Sequence, residues 1–128
     1  MQEITTNVNW LAVIVGAVLS FLLGWLWYSP MLFGKKWAEG VGVELGSASA
    51  MPVGAMVSQV VALLLLAWLF GITASNNALL TIILVALTIA AFLVSSGLFV
   101  KKSTEAVAIE AGYIIAIAAV MFIVQAVL

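Results

Sequence analysis

MPVGAMVSQVVALLLLAWLFGITASNNALLTIILVALTIAAFLVSSGLFV, residues 51–100, carries not one charged side chain. Glu44 precedes it and Lys101 follows it, and a second uncharged run goes from Ala111 to Leu128. Hydrocarbon explains such runs, because a charged side chain at mid-bilayer costs about 2.5–3.5 kcal/mol on insertion scales. The polar interruption Thr73-Ala74-Ser75-Asn76-Asn77 splits the quoted stretch in two. Each part is long enough to cross hydrocarbon roughly 30 Å thick, which takes about 20 apolar residues.

Working outward, two more apolar runs complete the set. The spacing predicts four transmembrane spans at roughly 8–28, 51–72, 78–100 and 105–128, with ends uncertain by about 2–4 residues. The whole chain is 128 residues, 66% hydrophobic and 7% charged, with a mean hydropathy of +1.34. Soluble domains carry charge on about a quarter of their residues. We therefore expect an all-α membrane protein, a single four-span domain in a tight bundle, with no room for a soluble domain. Glu3 is the only charge before the first span, so a positive signal-peptide n-region is missing. That run is expected to remain as a helix.

What the chain lacks narrows its chemistry. It has no His and no Cys, all five acids are Glu, and all four bases are Lys. Zinc and most transition-metal sites draw on His and Cys, so no metal and no cofactor is expected. Disulfides are impossible. A net charge of −1 without Arg offers no basic surface, so nucleic acid is not an expected partner.

The lysines set an orientation. Lys35-Lys36 and Lys101-Lys102 fall in the first and third connections, and the second connection has none. The positive-inside rule puts both pairs in the cytoplasm and both termini outside. Trp10 and Trp68 then fall at the outer interface, and Trp25, Trp27, Tyr28 and Trp37 near the inner one, as an aromatic belt would. In the long first connection Ser29 is a suitable N-cap and Pro30 a suitable first helical residue. Phe33, Trp37 and Val41 recur at helical spacing, and Lys35 and Glu39 form an i,i+4 pair. A short helix at roughly 30–39 is expected to lie in the interface, with Gly40 to Ala50 as an irregular return. The alternative is a positively charged loop.

Small residues recur every fourth position on three spans: Ala12, Gly16, Ser20 and Gly24; Gly54, Ser58 and Ala62; Ala108, Gly112 and Ala116. Such ridges let helix backbones approach closely. They serve packing inside one chain, self-association, or docking on a partner.

Glu110 is the one ionisable residue expected inside hydrocarbon. It lies about two turns into the fourth span, roughly 8–10 Å from its start at 1.5 Å per residue. It should face the bundle, be hydrogen-bonded, or carry a proton, because desolvation disfavours the charged form. By depth, its candidate partners are Gln59, Ser95, Ser96 and Tyr113, together forming a polar layer. That layer reads as a site for an ion, proton or small polar ligand. The alternatives are a buried hydrogen-bond network, or a Glu snorkelling to Lys101 or Lys102.

Two runs carry a resemblance: Asn9-Trp10-Leu11-Ala12-Val13, and Gly24-Trp25-Leu26-Trp27-Tyr28-Ser29-Pro30-Met31-Leu32-Phe33-Gly34-Lys35-Lys36-Trp37. With Glu110-Ala111-Gly112-Tyr113 on the last span, the chain resembles a bacterial membrane family known as domain of unknown function 1761. The resemblance implies a bacterial inner-membrane protein and brings no activity. Physically, the aromatics and Lys35 and Lys36 of this signature anchor an interface, and a tryptophan-rich groove could also hold a lipid.

Two functions compete on this reading. One is a self-associating structural or accessory membrane protein, its partners the bilayer and copies of itself or a larger membrane protein. The other is a small oligomeric transporter or channel using the layer around Glu110 and Gln59, its path at a subunit interface. An enzyme is not expected, because there is no nucleophile–base pair.

Overall fold

The computed structural model describes residues 5–29, 31–42 and 53–128. Its helices are α1 (Trp10–Trp27), α2 (Gly34–Val41), α3 (Val53–Ser75), α4 (Leu79–Phe99) and α5 (Thr104–Val127), with no strand among the described residues. All but α2 are long and apolar enough to cross a membrane.

Local chemistry sets most of the boundaries. The Asn9 Oδ1 accepts from the Ala12 N–H at 3.1 Å and starts α1. The Ser103 Oγ accepts from the Ala106 N–H at 3.0 Å and starts α5, whose first turn also carries Glu105. The polar run expected to break the chain after residue 72 instead continues α3 to Ser75. Thr73 donates its hydroxyl to the Leu69 and Phe70 carbonyls and Ser75 to the Ile72 carbonyl, so these groups are satisfied within the helix. The turn comes at Asn77, whose φ of 53° is left-handed.

The interfacial helix also starts later than expected. Ser29 does not cap it, because its hydroxyl donates to the Leu26 carbonyl at 2.7 Å and finishes α1. A tight turn follows, in which the Ser29 carbonyl accepts from the Leu32 and Gly34 N–H groups. Phe33 is the N-cap, and Gly42 ends α2 at a φ of 87°. Lys35 and Glu39 do not close to ion-pair distance. Of the return expected over Gly40 to Ala50, Gly40 and Val41 instead continue α2, and residues 43–50, like Pro30, lie outside the described residues.

The last helix is the hub. α5 packs against every other helix, and Tyr113, Ile117 and Met121 present one face of it to the centre. Val13 and Ala17 of α1 and Leu63, Leu66, Ala67 and Phe70 of α3 meet them there. From α4, Ile82 is buried in this core and Leu79, Val85 and Ile89 pack against its edge. α4 leans on α5 through Ile82, Ala86, Ala90 and Gly97, a small-residue face that the sequence reading did not single out. A Cβ on Gly97 would stand 2.7 Å from the Val107 Cγ2, so the two helices touch closely there.

The three expected ridges have different fates. On α1, Ala12, Gly16 and Ser20 are buried, Gly16 faces Met121, and Gly24 faces the Tyr113 ring. On α3, Gly54, Ser58 and Ala62 are all exposed, and among the described residues nothing lies within 4 Å of a Cβ built on Gly54. On α5, Ala108 is exposed while Gly112 receives the Trp27 indole.

Candidate functional site

The polar side chains gather where α2 docks on the first turns of α5. The Ser103 N–H donates to the Gly40 carbonyl at 3.1 Å, and Ala38 and Ala106 are both buried. Lys36 reaches Glu105 at 3.7 Å, an exposed pair that adds little. Both lysine pairs therefore stand at one end of the bundle.

Glu110 is the centre of this docking. Lys102 donates to its Oε1 at 3.0 Å and to its Oε2 at 2.8 Å. The Trp37 indole N–H donates to Oε2 at 2.9 Å. The carboxylate side chain is 12% exposed and that of Lys102 is 27% exposed. One turn further along α5, the Tyr113 hydroxyl donates to the Ser20 carbonyl at 2.9 Å and accepts from the Gln59 Nε2 at 3.3 Å. This second group ties α1, α3 and α5 together. The Ser20 hydroxyl beside it is buried without a partner.

Aromatic rings join the two groups. Tyr28 stands edge-on to Trp37 at 5.2 Å and to Tyr113 at 5.5 Å between ring centroids. Such edge-to-face pairs are worth about 0.5–1.5 kcal/mol each beyond burial. Tyr28 lies just beyond the end of α1. Burial pushes its phenol well above the usual tyrosine range, and the Glu110 charge pushes it the same way. It is therefore a neutral hydroxyl. The Trp27 indole N–H donates to the Ile109 carbonyl at 2.9 Å, and its ring meets Phe33 at 4.8 Å.

Of the residues expected in one polar layer, Gln59 and Tyr113 bond to each other, and Glu110 bonds to Lys102 and Trp37. Ser95 and Ser96 are exposed on α4 and join neither group. Of the expected interfacial anchors, Trp25 is turned outward at 72% exposure, and Lys35, Lys36 and Phe33 are exposed. Trp27, Tyr28 and Trp37 turn inward and bond or pack within the chain. The role of Trp37 as a Glu110 partner has no local sequence signal, since the two are 73 residues apart. Lys102, eight residues before Glu110, is off the i,i+4 spacing that flags helical ion pairs.

Replacing Tyr113 with Phe tests the inner group. It leaves the Ser20 carbonyl and the Gln59 amide each one partner short. The expected loss is about 1–3 kcal/mol, seen as a lower thermal midpoint in detergent micelles with helix content unchanged. An unchanged midpoint would mean that lipid or water already supplies these groups.

The family model described as "Protein of unknown function (DUF1761)" matches residues 11–126, nearly the whole chain. No curated protein and no solved structure matches it.

Proposed function

We propose that this chain, which belongs to the DUF1761 family of proteins of unknown function, is a self-associating structural or accessory protein of the bacterial cytoplasmic membrane. The observation that carries this reading is the outward direction of the α3 ridge. Among the described residues Gly54, Ser58 and Ala62 are exposed, whereas the comparable ridge on α1 faces α5 at Gly16 and Gly24. Small residues on a lipid-facing surface lose packing area to lipid and regain it against a closely approaching helix. A second copy of the chain, or a larger membrane protein, would supply that helix.

The polar groups support a frame more than a path. Glu110 is matched by Lys102 and Trp37, and Gln59 by Tyr113, all within one chain. A transporter built on them would first have to break these bonds. The reading includes no catalytic role. It places the lysine-bearing end in the cytoplasm, from the positive-inside rule, with both termini outside.

The test is native mass spectrometry of protein released from lipid nanodiscs. The wild type should fly as one defined oligomer, and Gly54→Leu combined with Ala62→Leu should convert it largely to monomer with the fold intact. Gly16→Leu should instead lower the thermal midpoint, because its side chain would collide with Met121 inside the protomer. A wild-type monomer with no companion chain would sink the proposal.

A further inference from the structure

The Glu110 cluster has the composition of a cation-recognition site, and its present occupant is the chain's own lysine. Its carboxylate is largely buried and accepts from the Trp37 indole, whose ring stands edge-on to Tyr28, as Tyr28 does in turn to Tyr113. A buried carboxylate reached along an apolar slot suits a primary alkylammonium, a compact charge with three N–H donors whose methylene stem packs along the slot. A bare metal ion would instead want several oxygen ligands. No group of three acid, His or Cys side chains occurs among the described residues.

Lys102 fills the site from outside. It belongs to the α4–α5 turn, not to a helix, and follows Lys101 at a φ of 63°. Its backbone N–H is fixed to the Gly97 carbonyl at 3.0 Å. Its side chain passes over Gly97, the Lys102 Cδ lying 3.6 Å from where a Gly97 Cβ would stand. The missing side chain at Gly97 thus gives the lysine stem a slot, and Val107 stands beside it. Side-chain torsions alone would let the ammonium leave, because the backbone of the turn need not move.

We propose that the slot over Gly97, ending on Glu110 beside the Trp37 indole, is a binding site for a primary alkylammonium ion, held closed by Lys102 as a tethered, displaceable occupant. This goes beyond a scaffolding role, since it assigns the frame an exchangeable part. A tethered group competes at an effective concentration on the order of millimolar or more, so the wild type should bind free amines weakly.

The experiment uses the full chain in detergent micelles and n-butylammonium, which copies the lysine side chain. Isothermal titration is run against sodium chloride at matched ionic strength. Lys102→Ala opens the slot and should tighten butylammonium binding at least about tenfold over wild type. Lys102→Met removes the charge but keeps the slot filled, and should show no such gain. Adding Glu110→Gln to the Lys102→Ala background should abolish binding. A folded Lys102→Ala protein that binds no better than wild type overturns the proposal, and so does Lys102→Met binding as tightly as Lys102→Ala. If Lys102→Ala does not fold alone, butylammonium should restore its helical signal and thermal transition by mass action, with tetramethylammonium less effective. Failure of that rescue also overturns the proposal.

Discussion

Glu110→Ala is expected to be the most damaging single side-chain truncation in this chain, because it strands two donors at once. Lys102 loses the partner that both of its short bonds reach, and the Trp37 indole N–H loses its acceptor. Breaking a buried pair by removing one partner typically costs about 3–5 kcal/mol. Lys102 is 27% exposed on a surface turn and can swing toward water, which lowers the expectation to roughly 2–3 kcal/mol. Two readings should move together: a lower thermal midpoint in micelles, and a red shift of tryptophan emission as Trp37 leaves its site. Glu110→Gln keeps an acceptor for Trp37 and should lose less. If Ala and Gln behave alike, the charge on Glu110 matters and the indole bond does not.

Gly34→Ala should do comparable harm by a backbone route. The chain reverses between α1 and α2 in so little space that a Cβ on Gly34 would collide with the Tyr28 carbonyl oxygen and stand 2.7 Å from that of Ser29. These are backbone atoms and cannot rotate aside as a side chain would. The Gly34 N–H is also bonded to the Ser29 carbonyl at 2.9 Å, and the Phe33 N–H to that of Trp27 at 3.2 Å. Adding the methyl opens both bonds and displaces α2. Overpacking of this kind costs about 1–3 kcal/mol, and the upper end is expected here. Protease cleavage within α2 should speed up at least tenfold in the variant, while the four spans stay protected. Unchanged cleavage would mean that the turn can relax around an alanine.

Much of this was legible from residue order alone. Uncharged length marks the spans, and the lysine pairs mark which connections share an end, because both follow from the cost of charge in hydrocarbon. Depth along a helix is equally readable, which is why Gln59 and Tyr113 sit at one level. Azimuth is not. Ser95 and Ser96 have the right depth, yet they are on the outer side of a helix that leans mainly on α5. A lipid-facing surface and a buried one are both apolar, so the usual amphipathic signal that fixes rotation in soluble helices is lost. The same blindness hid the direction of the ridges: Gly16 and Gly54 sit in identical patterns, and only the neighbours distinguish them. The Glu110 partners were half legible. Lys102 follows from chain proximity, whereas Trp37 needs α2 to fold back onto a helix made much later.

That fold-back has a consequence in time. The groups that hold α2 are the Glu110 carboxylate as acceptor, the Ser103 N–H as donor and the Ala106 surface, and none of them exists when α2 leaves the ribosome. At synthesis rates of about 5–20 residues per second, the 73 residues separating Trp37 from Glu110 take roughly 4–15 s to add. For that interval an eight-residue amphipathic segment waits on the membrane surface with its tryptophan unclaimed. Its docking becomes the closing event of biogenesis, and ribosomes stalled before residue 110 should display an α2 that is still open to protease.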